Sequence, residues 1–357
     1  MIEVAEKLPG QSETELINEA GVSEKLRRIP IPSRFYDKSQ VKAVLLVILN
    51  AAVILACGPL AYHLNRWWAY AIAFILVGAR AQALLILQHE CMHWLLFTRK
   101  PVNNAIGVVV SGLIGTRLFD GRRFHFKHHR EVGGPTDPNM LWHDTKGREP
   151  GWPSVRFFML QLLGSRLVGV TQRVLLLLNP KSRLRIEKAL GSSPVRVKKD
   201  NKELMVDILS LLFSQAIVFS FMTIVSSPWV YVFMFLLPIA TLTSFFEAIR
   251  SFSEHVLPGE IPSCAPESKR LFYMDAPRCE LFFVSQFGFH YHHLHHLYPH
   301  IVTFKLKELH RWLESNDPDY YRKFIRRPGY VGTAVRYVFN RQVPGAGLNY
   351  PRPGGSA

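Results

Sequence analysis

Apolar residues in this chain are clumped into long runs. The first is Val41 to Leu64, and the second starts at Trp67-Trp68 and continues to the stretch HECMH, residues 89 to 93. Only Asn65 and Arg66 separate them, so the two runs read as a tight hairpin. A third run, Ile208 to Ser226, and a fourth, Trp229 to about Ile249, are joined as closely around Ser227-Pro228. A helix needs about 20 apolar residues to cross ~30 Å of hydrocarbon, and each run is of that order. The pattern predicts an all-α integral membrane protein with four transmembrane helices in two hairpins, at about 41–64, 67–88, 208–226 and 229–249. Pro238 is expected to kink the fourth.

Two other apolar stretches read differently. Ala105 to Phe119 has 15 residues and contains Gly107, Gly112 and Gly115, and Ser154 to Leu178 is interrupted by Arg156, Arg166 and Arg173. Both are expected to be helices lying in or near the membrane interface. The chain thus divides into a polar segment (1–40), a membrane domain (41–325) and a tail (326–357). Within the membrane domain, 89–206 and 250–325 form a cap on one side. No tandem repeat is evident. The Pro/Gly-rich end, Gly345 to Ala357, is expected to be disordered.

The net charge of +16 over 357 residues would suit a nucleic-acid partner. The apolar runs supply a better explanation, because cytoplasmic loops of membrane proteins collect Lys and Arg. Two hairpins put both termini and the middle loop on one side. That side carries Arg99, Lys100, Arg122, Arg123, Lys127 and Arg130 and is expected to be cytoplasmic, with no nucleic acid bound. The polar opening, with Lys25, Arg27, Arg28 and Arg34, does not read as a secretory signal. Cys57, Cys91, Cys264 and Cys279 form no C-x-x-C pair, so no disulfide framework is expected.

Histidine spacing carries the chemistry. Of the 15 histidines, His89 and His93 are spaced i, i+4; His125, His128 and His129 in HFKHH are spaced i, i+3, i+4; His292, His295 and His296 repeat that spacing. Residues three and four apart share a helix face, so each cluster can aim its rings at a common point. From Trp67 to His89 is 22 residues, or ~33 Å of helix. The second span therefore delivers His89 and His93 just past the cytoplasmic interface, where the other clusters lie. HECMH also matches the H-E-x-x-H signature of zinc proteases, with Glu90 as general base. A catalytic zinc takes three protein ligands, and that reading leaves six clustered histidines idle. Eight nitrogen ligands suit two metal ions, for which iron with open positions is the first choice. Spacing alone leaves copper and zinc open. A metal transporter should place its histidines near the midplane of the spans, and these lie at one face.

The three boxes around two hairpins resemble the membrane fatty acid desaturase and hydroxylase family, over roughly residues 40 to 325. HHREVGGPTDPN resembles the stretch after the second box in bacterial members, including the group related to dihydrorhizobitoxine desaturase. HYHHLHHLYPH resembles the third box, and FKLKELHRWLE the amphipathic helix that follows it. His290 stands where many relatives have Asn, and Leu294 where an acidic residue is common. The resemblance implies two iron ions held by the eight box histidines, O₂ as co-substrate and an acyl substrate in the bilayer. It also implies a bacterial inner-membrane location. No cytochrome b5 module is expected in this chain, so electrons would come from an external ferredoxin or cytochrome b5 with its reductase. Desaturation of a fatty acyl chain is the leading reading; hydroxylation, or desaturation of a small amino-acid-like metabolite, stays open.

Family members commonly draw a further histidine from the region of His255. That residue lies 26 positions after Trp229, or ~39 Å along a continued helix, level with the boxes. Glu90, Asp137, Glu254 and His290 are candidates for orienting ligand histidines through hydrogen bonds. His293 shares the off-face position of His290. Cys91 is expected to be packing. Arg80 and Gln82 lie inside the second span, where intramembrane charge is a functional hypothesis by default; pairing of Arg80 within the bundle is the alternative. His63, His143, His300 and His310 are expected to stay away from the metal.

Overall fold

The computed structural model describes residues 29–132, 137–138, 150–164, 200–255, 257 and 271–339. His143, Cys264, Pro258, Gly259, the Gly345 to Ala357 tail, most of the polar opening and the later part of the Ser154 to Leu178 stretch lie outside the described residues. Among the described residues, four helices are long and apolar enough to cross a membrane. They are α1 (Gln40–Leu64), α2 (Trp67–Met92), α6 (Asn201–Val225) and α7 (Pro228–Glu254).

Ser39 starts α1 by accepting the amide N–H of Lys42, and Asn65 ends it in the left-handed conformation at φ 46°, which Asn tolerates better than most residues. The chain re-enters helix two residues later. His63 donates to the carbonyl of Val225 at 2.8 Å, so the ends of α1 and α6 meet at one end of the bundle. Trp67 and Trp229 are exposed there, as interfacial anchors are. Close crossing of α2 and α7 depends on Gly78, since a Cβ there would lie 2.6 Å from the Cβ of Leu242. Only 11% of the apolar window of α6 is buried, leaving its Leu, Ile and Phe side chains for lipid.

Three helices run past their expected bounds. Hydropathy marks where hydrocarbon ends, whereas a helix continues until something caps it. Thus α2 carries His89 in its last turn, α6 begins seven residues early with Asp200 accepting the N–H of Lys202, and α7 continues to Glu254. Pro238 does not break α7. It sits between π-helical stretches at Tyr231–Leu236 and Ile239–Thr243, whose wider turns accommodate the missing N–H.

Between the two pairs of spans, α3 (Lys100–Leu113) and α4 (Leu118–Glu131) meet at a 106° bend. α3 starts seven residues after His93, and α4 brings His125 back to within 2.7 Å of it. Both ends of the bent pair therefore lie on the histidine side of the bundle. α5 (Trp152–Leu162) packs on α7 through Phe158 against Phe252. The cap is completed by α8 (Arg278–Phe283), α9 (His292–Leu297), α10 (Leu306–Asn316) and α11 (Tyr330–Val338). A two-stranded parallel sheet, β1 (Phe272–Met274) and β2 (Ile325–Arg327), ties its two ends together.

Candidate metal centre

Each histidine-bearing element is held by a contact distant in sequence. The C-terminus of α2 leaves unpaired carbonyls, and the Arg122 guanidinium donates to those of Met92 and Cys91 at 2.8 and 2.9 Å. Its own helix, α4, is held from α6, where the Asp207 carboxylate accepts the N–H groups of Leu118, Phe119 and Asp120 at 3.0–3.2 Å. A carboxylate at a helix N-terminus satisfies free donors and complements the dipole. Arg327, fully buried, donates to the carbonyls of Ser253 and His255 and so fixes the end of α7. Phe287 (φ 62°) and Gly288 (φ 88°) turn the chain into α9 through two left-handed residues.

Among the described residues, nine histidines meet in two groups, with ring nitrogens within 4.8 Å of one another inside each. The first group is His89, His93, His125, His129 and His295; the second is His128, His255, His292 and His296. In the first, Nε2 of His125 lies 2.8 Å from His89, 2.7 Å from His93 and 2.8 Å from His129, and His295 lies 3.1 and 3.0 Å from His93 and His129. In the second, Nε2 atoms of His255 and His128 are 3.1 Å apart, as are those of His292 and His296.

The groups do not follow the boxes. The expectation that each cluster aims at one point holds for His89 and His93 alone. His128 and His129 are adjacent, hence about 100° apart around the axis of α4, and they turn to different groups. α9 divides the same way, with His295 in the first group and His292 and His296 in the second. One helix thus serves two points.

Proton placement shows what belongs between these rings. A carbonyl only accepts, so His255 Nδ1 must donate to Ser251, at 2.8 Å. His128 Nδ1 donates to the Asp137 carboxylate at 2.8 Å. When both rings are neutral, each has only a lone pair at Nε2, and the two Nε2 atoms face each other at 3.1 Å. A cation between them relieves the repulsion. Nitrogens bound ~2.1 Å from one ion lie within ~4.2 Å of one another, and the 2.7–3.1 Å contacts in both groups fall inside that limit. Burial, then the neighbouring His128, pushes His255 down to about 3. Burial and adjacent histidines likewise hold His292, His295 and His296 well below the ordinary imidazole range. Neutral imidazole is the form that ligates.

The expected orienting residues divide. Glu90, fully buried, accepts from His89 Nδ1 at 3.2 Å and from the amide of Thr303 at 2.8 Å. Asp137 fixes His128. Glu254 does not face a histidine. One oxygen takes the Arg250 guanidinium at 2.5 Å and the other the Tyr330 hydroxyl at 2.7 Å, because the helix turn that exposes His255 points Glu254 back along α7. His290 joins neither group; its ring lies against Tyr291, with centroids 4.1 Å apart. Arg80 donates to the carbonyl of Phe282 in the cap, and Gln82 to that of Val284 and to Glu247 of α7. Cys91 packs in the core. Sequence reading missed Arg122, Asp207, Arg250 and Arg327. Arg250 and Asp207 carried a weak signal as charges inside or beside apolar runs.

A cavity of about 210 Å³ opens onto both groups. Leu85, Ile86, Phe124 and Phe289 line it beside His89, His125, His128, His255 and His292, with Glu247 and Arg250 on one wall. The fold and site define an integral membrane protein with a histidine-built metal-binding centre. The chain belongs to the fatty acid desaturase family, whose model matches residues 65–328. It is similar to the sunflower (Helianthus annuus) chloroplastic sn-2 acyl-lipid omega-3 desaturase (ferredoxin), 26% identical over 32% of this chain and 26% of the relative. It is also similar to the sn-1 acyl-lipid omega-3 desaturase (ferredoxin) of Synechocystis sp., 26% identical over 37% of this chain and 38% of the relative. An endoplasmic-reticulum omega-3 fatty acid desaturase of Vigna radiata is 26% identical over 30% of this chain and 28% of its own. The matched stretch spans well under half of each relative.

Proposed function

We propose that this protein is a di-iron, O₂-dependent desaturase that introduces a double bond into a fatty acyl chain. The observation that carries the reading is the pair of histidine groups opening on one cavity that Leu85, Ile86, Phe124 and Phe289 also line. Nine imidazole donors in two clusters suit two ions of iron. His89, His93, His125, His129 and His295 would hold one; His128, His255, His292 and His296 the other. Bound iron would supply O₂ reduction and the oxidising power to remove hydrogen from an unactivated C–H bond.

The rest is the protein's part. Glu90 and Asp137 fix the ring orientation and the tautomer of His89 and His128, keeping Nε2 free to bind. Leu85, Ile86, Phe124 and Phe289 give an acyl chain an apolar wall and exclude water. Arg250 lines the cavity, but all three of its guanidinium nitrogens donate to Glu247 and Glu254. Its charge is already matched, which suits an uncharged acyl chain better than an amino-acid-like substrate.

Electrons would come from an external donor, a ferredoxin or cytochrome b5 with its reductase; the names of two relatives specify ferredoxin for those proteins. The basic residues flanking the histidine side support a cytoplasmic cap, with both termini on that side of a bacterial inner membrane. Lipid and metabolite profiling of a host with and without the gene tests the reading. New unsaturated acyl chains are expected. Hydroxylated acyl chains would move the assignment to a hydroxylase, and unchanged lipids with an altered small metabolite would contradict the acyl substrate.

A further inference from the structure

Behind α9, away from the cavity, lies a hydrogen-bonded chain that neither metal group uses. The Tyr320 hydroxyl, buried, sits 2.5 Å from Nδ1 of His310 and 3.1 Å from Nε2 of His293. A neighbouring carboxylate favours one direction for these bonds. Nε2 of His310 lies 3.3 Å from the Glu314 carboxylate, whose negative charge favours the ring proton on that nitrogen and leaves the lone pair on Nδ1. Tyr320 therefore donates to His310 and accepts from His293. The phenol is paired with a neutral base, and that base is backed by a carboxylate at the surface.

Tyr320 also has electronic contacts on both sides. His293 is joined by one peptide bond to His292, a member of the second group. Outward, the ring of Tyr321 lies 5.5 Å from that of Tyr320, is 46% exposed, and its hydroxyl donates to Glu314. Losing an electron makes a phenol strongly acidic, so a base already hydrogen-bonded to it lets electron and proton leave together. Packing alone would need no such base.

The geometry points to Tyr320 as a redox-active tyrosine that returns an electron to the histidine centre when O₂ has oxidised it with no acyl chain in place. This rests on the O₂-dependent reading above. The oxidised centre is the oxidant. Tyr320 gives it one electron through His293 and His292, and the phenolic proton passes to Nδ1 of His310. Tyr321 then returns one electron and one proton to Tyr320, directly and by way of Glu314 and His310. The Tyr321 radical ends at the surface, where a soluble thiol reduces it and is itself oxidised. The pathway spares the ligand histidines from oxidation.

Electron paramagnetic resonance tests this on reduced, iron-loaded protein mixed with O₂ without acyl substrate and frozen. A tyrosyl radical is expected, with lines that narrow when the protein is made with ring-deuterated tyrosine. Tyr320→Phe keeps the ring and should keep its iron, yet lose the radical and survive several-fold fewer O₂ exposures. His310→Gln should slow radical formation several-fold. Flash oxidation of metal-free Tyr321→Phe protein by a soluble ruthenium polypyridyl should give a long-lived tyrosyl radical that the added change Tyr320→Phe diminishes. An undiminished radical in Tyr320→Phe overturns the inference, as does no radical from a protein that holds iron and consumes O₂. A protein that holds no iron or consumes no O₂ overturns the O₂-dependent reading, and this one with it.

Discussion

His255 stands one residue past the end of α7, with an extended backbone and its Nδ1–H tied to Ser251. Only Nε2 is left to act, and it faces His128. The His255→Ala variant should therefore lose iron and turnover about as severely as His292→Ala, while His63→Ala, at the other end of the bundle, should keep both. A folded His255→Ala protein with full iron would remove this residue from the ligand set. Asp137 acts one step further out. Replacing the carboxylate in Asp137→Asn weakens the bond that fixes the His128 tautomer, and such changes typically cost about 10–100-fold in metal affinity. Competition with a chelator of known affinity measures it; unchanged affinity would mean that the Asp137 contact is incidental. The Glu254 expectation failed for a local reason: adjacency in sequence to a ligand does not decide which way a side chain leaves a helix end.

At the scale of elements, α4 is the part on which most depends, since it feeds both histidine groups. Its N-terminus is held by Asp207 from α6. Losing a helix cap costs typically ~1 kcal/mol, so Asp207→Asn should lower the melting temperature by a few degrees and reduce iron retention together. A stability loss with full iron content would mean that α4 finds its place without this contact. The spans were legible because hydrocarbon thickness imposes a length on apolar runs, and the boxes because a helix face imposes a spacing. The partition of the boxes was not legible. It depends on how α2, α4, α7 and α9 are rotated against one another, and that is set by contacts such as Gly78 on Leu242 and Arg327 on the end of α7. These join residues 72 or more positions apart, and no local pattern announces them.

For the whole molecule, the excess of positive charge should matter for electron delivery. Exposed Arg99, Lys100 and Arg130 lie on the histidine side, near the ends of α2 and α4. An acidic redox donor would be steered by this charge and released by salt, since the screening length is only ~10 Å at 0.1 M. Reconstituted turnover at limiting donor should fall as ionic strength rises; a flat response would refute electrostatic docking. The central claim is that nine histidines hold two irons, and metal analysis of protein purified without chelators tests it most directly. About two irons per chain, in excess of zinc, is the predicted result. One zinc per chain and no iron would contradict it and return HECMH to the protease reading.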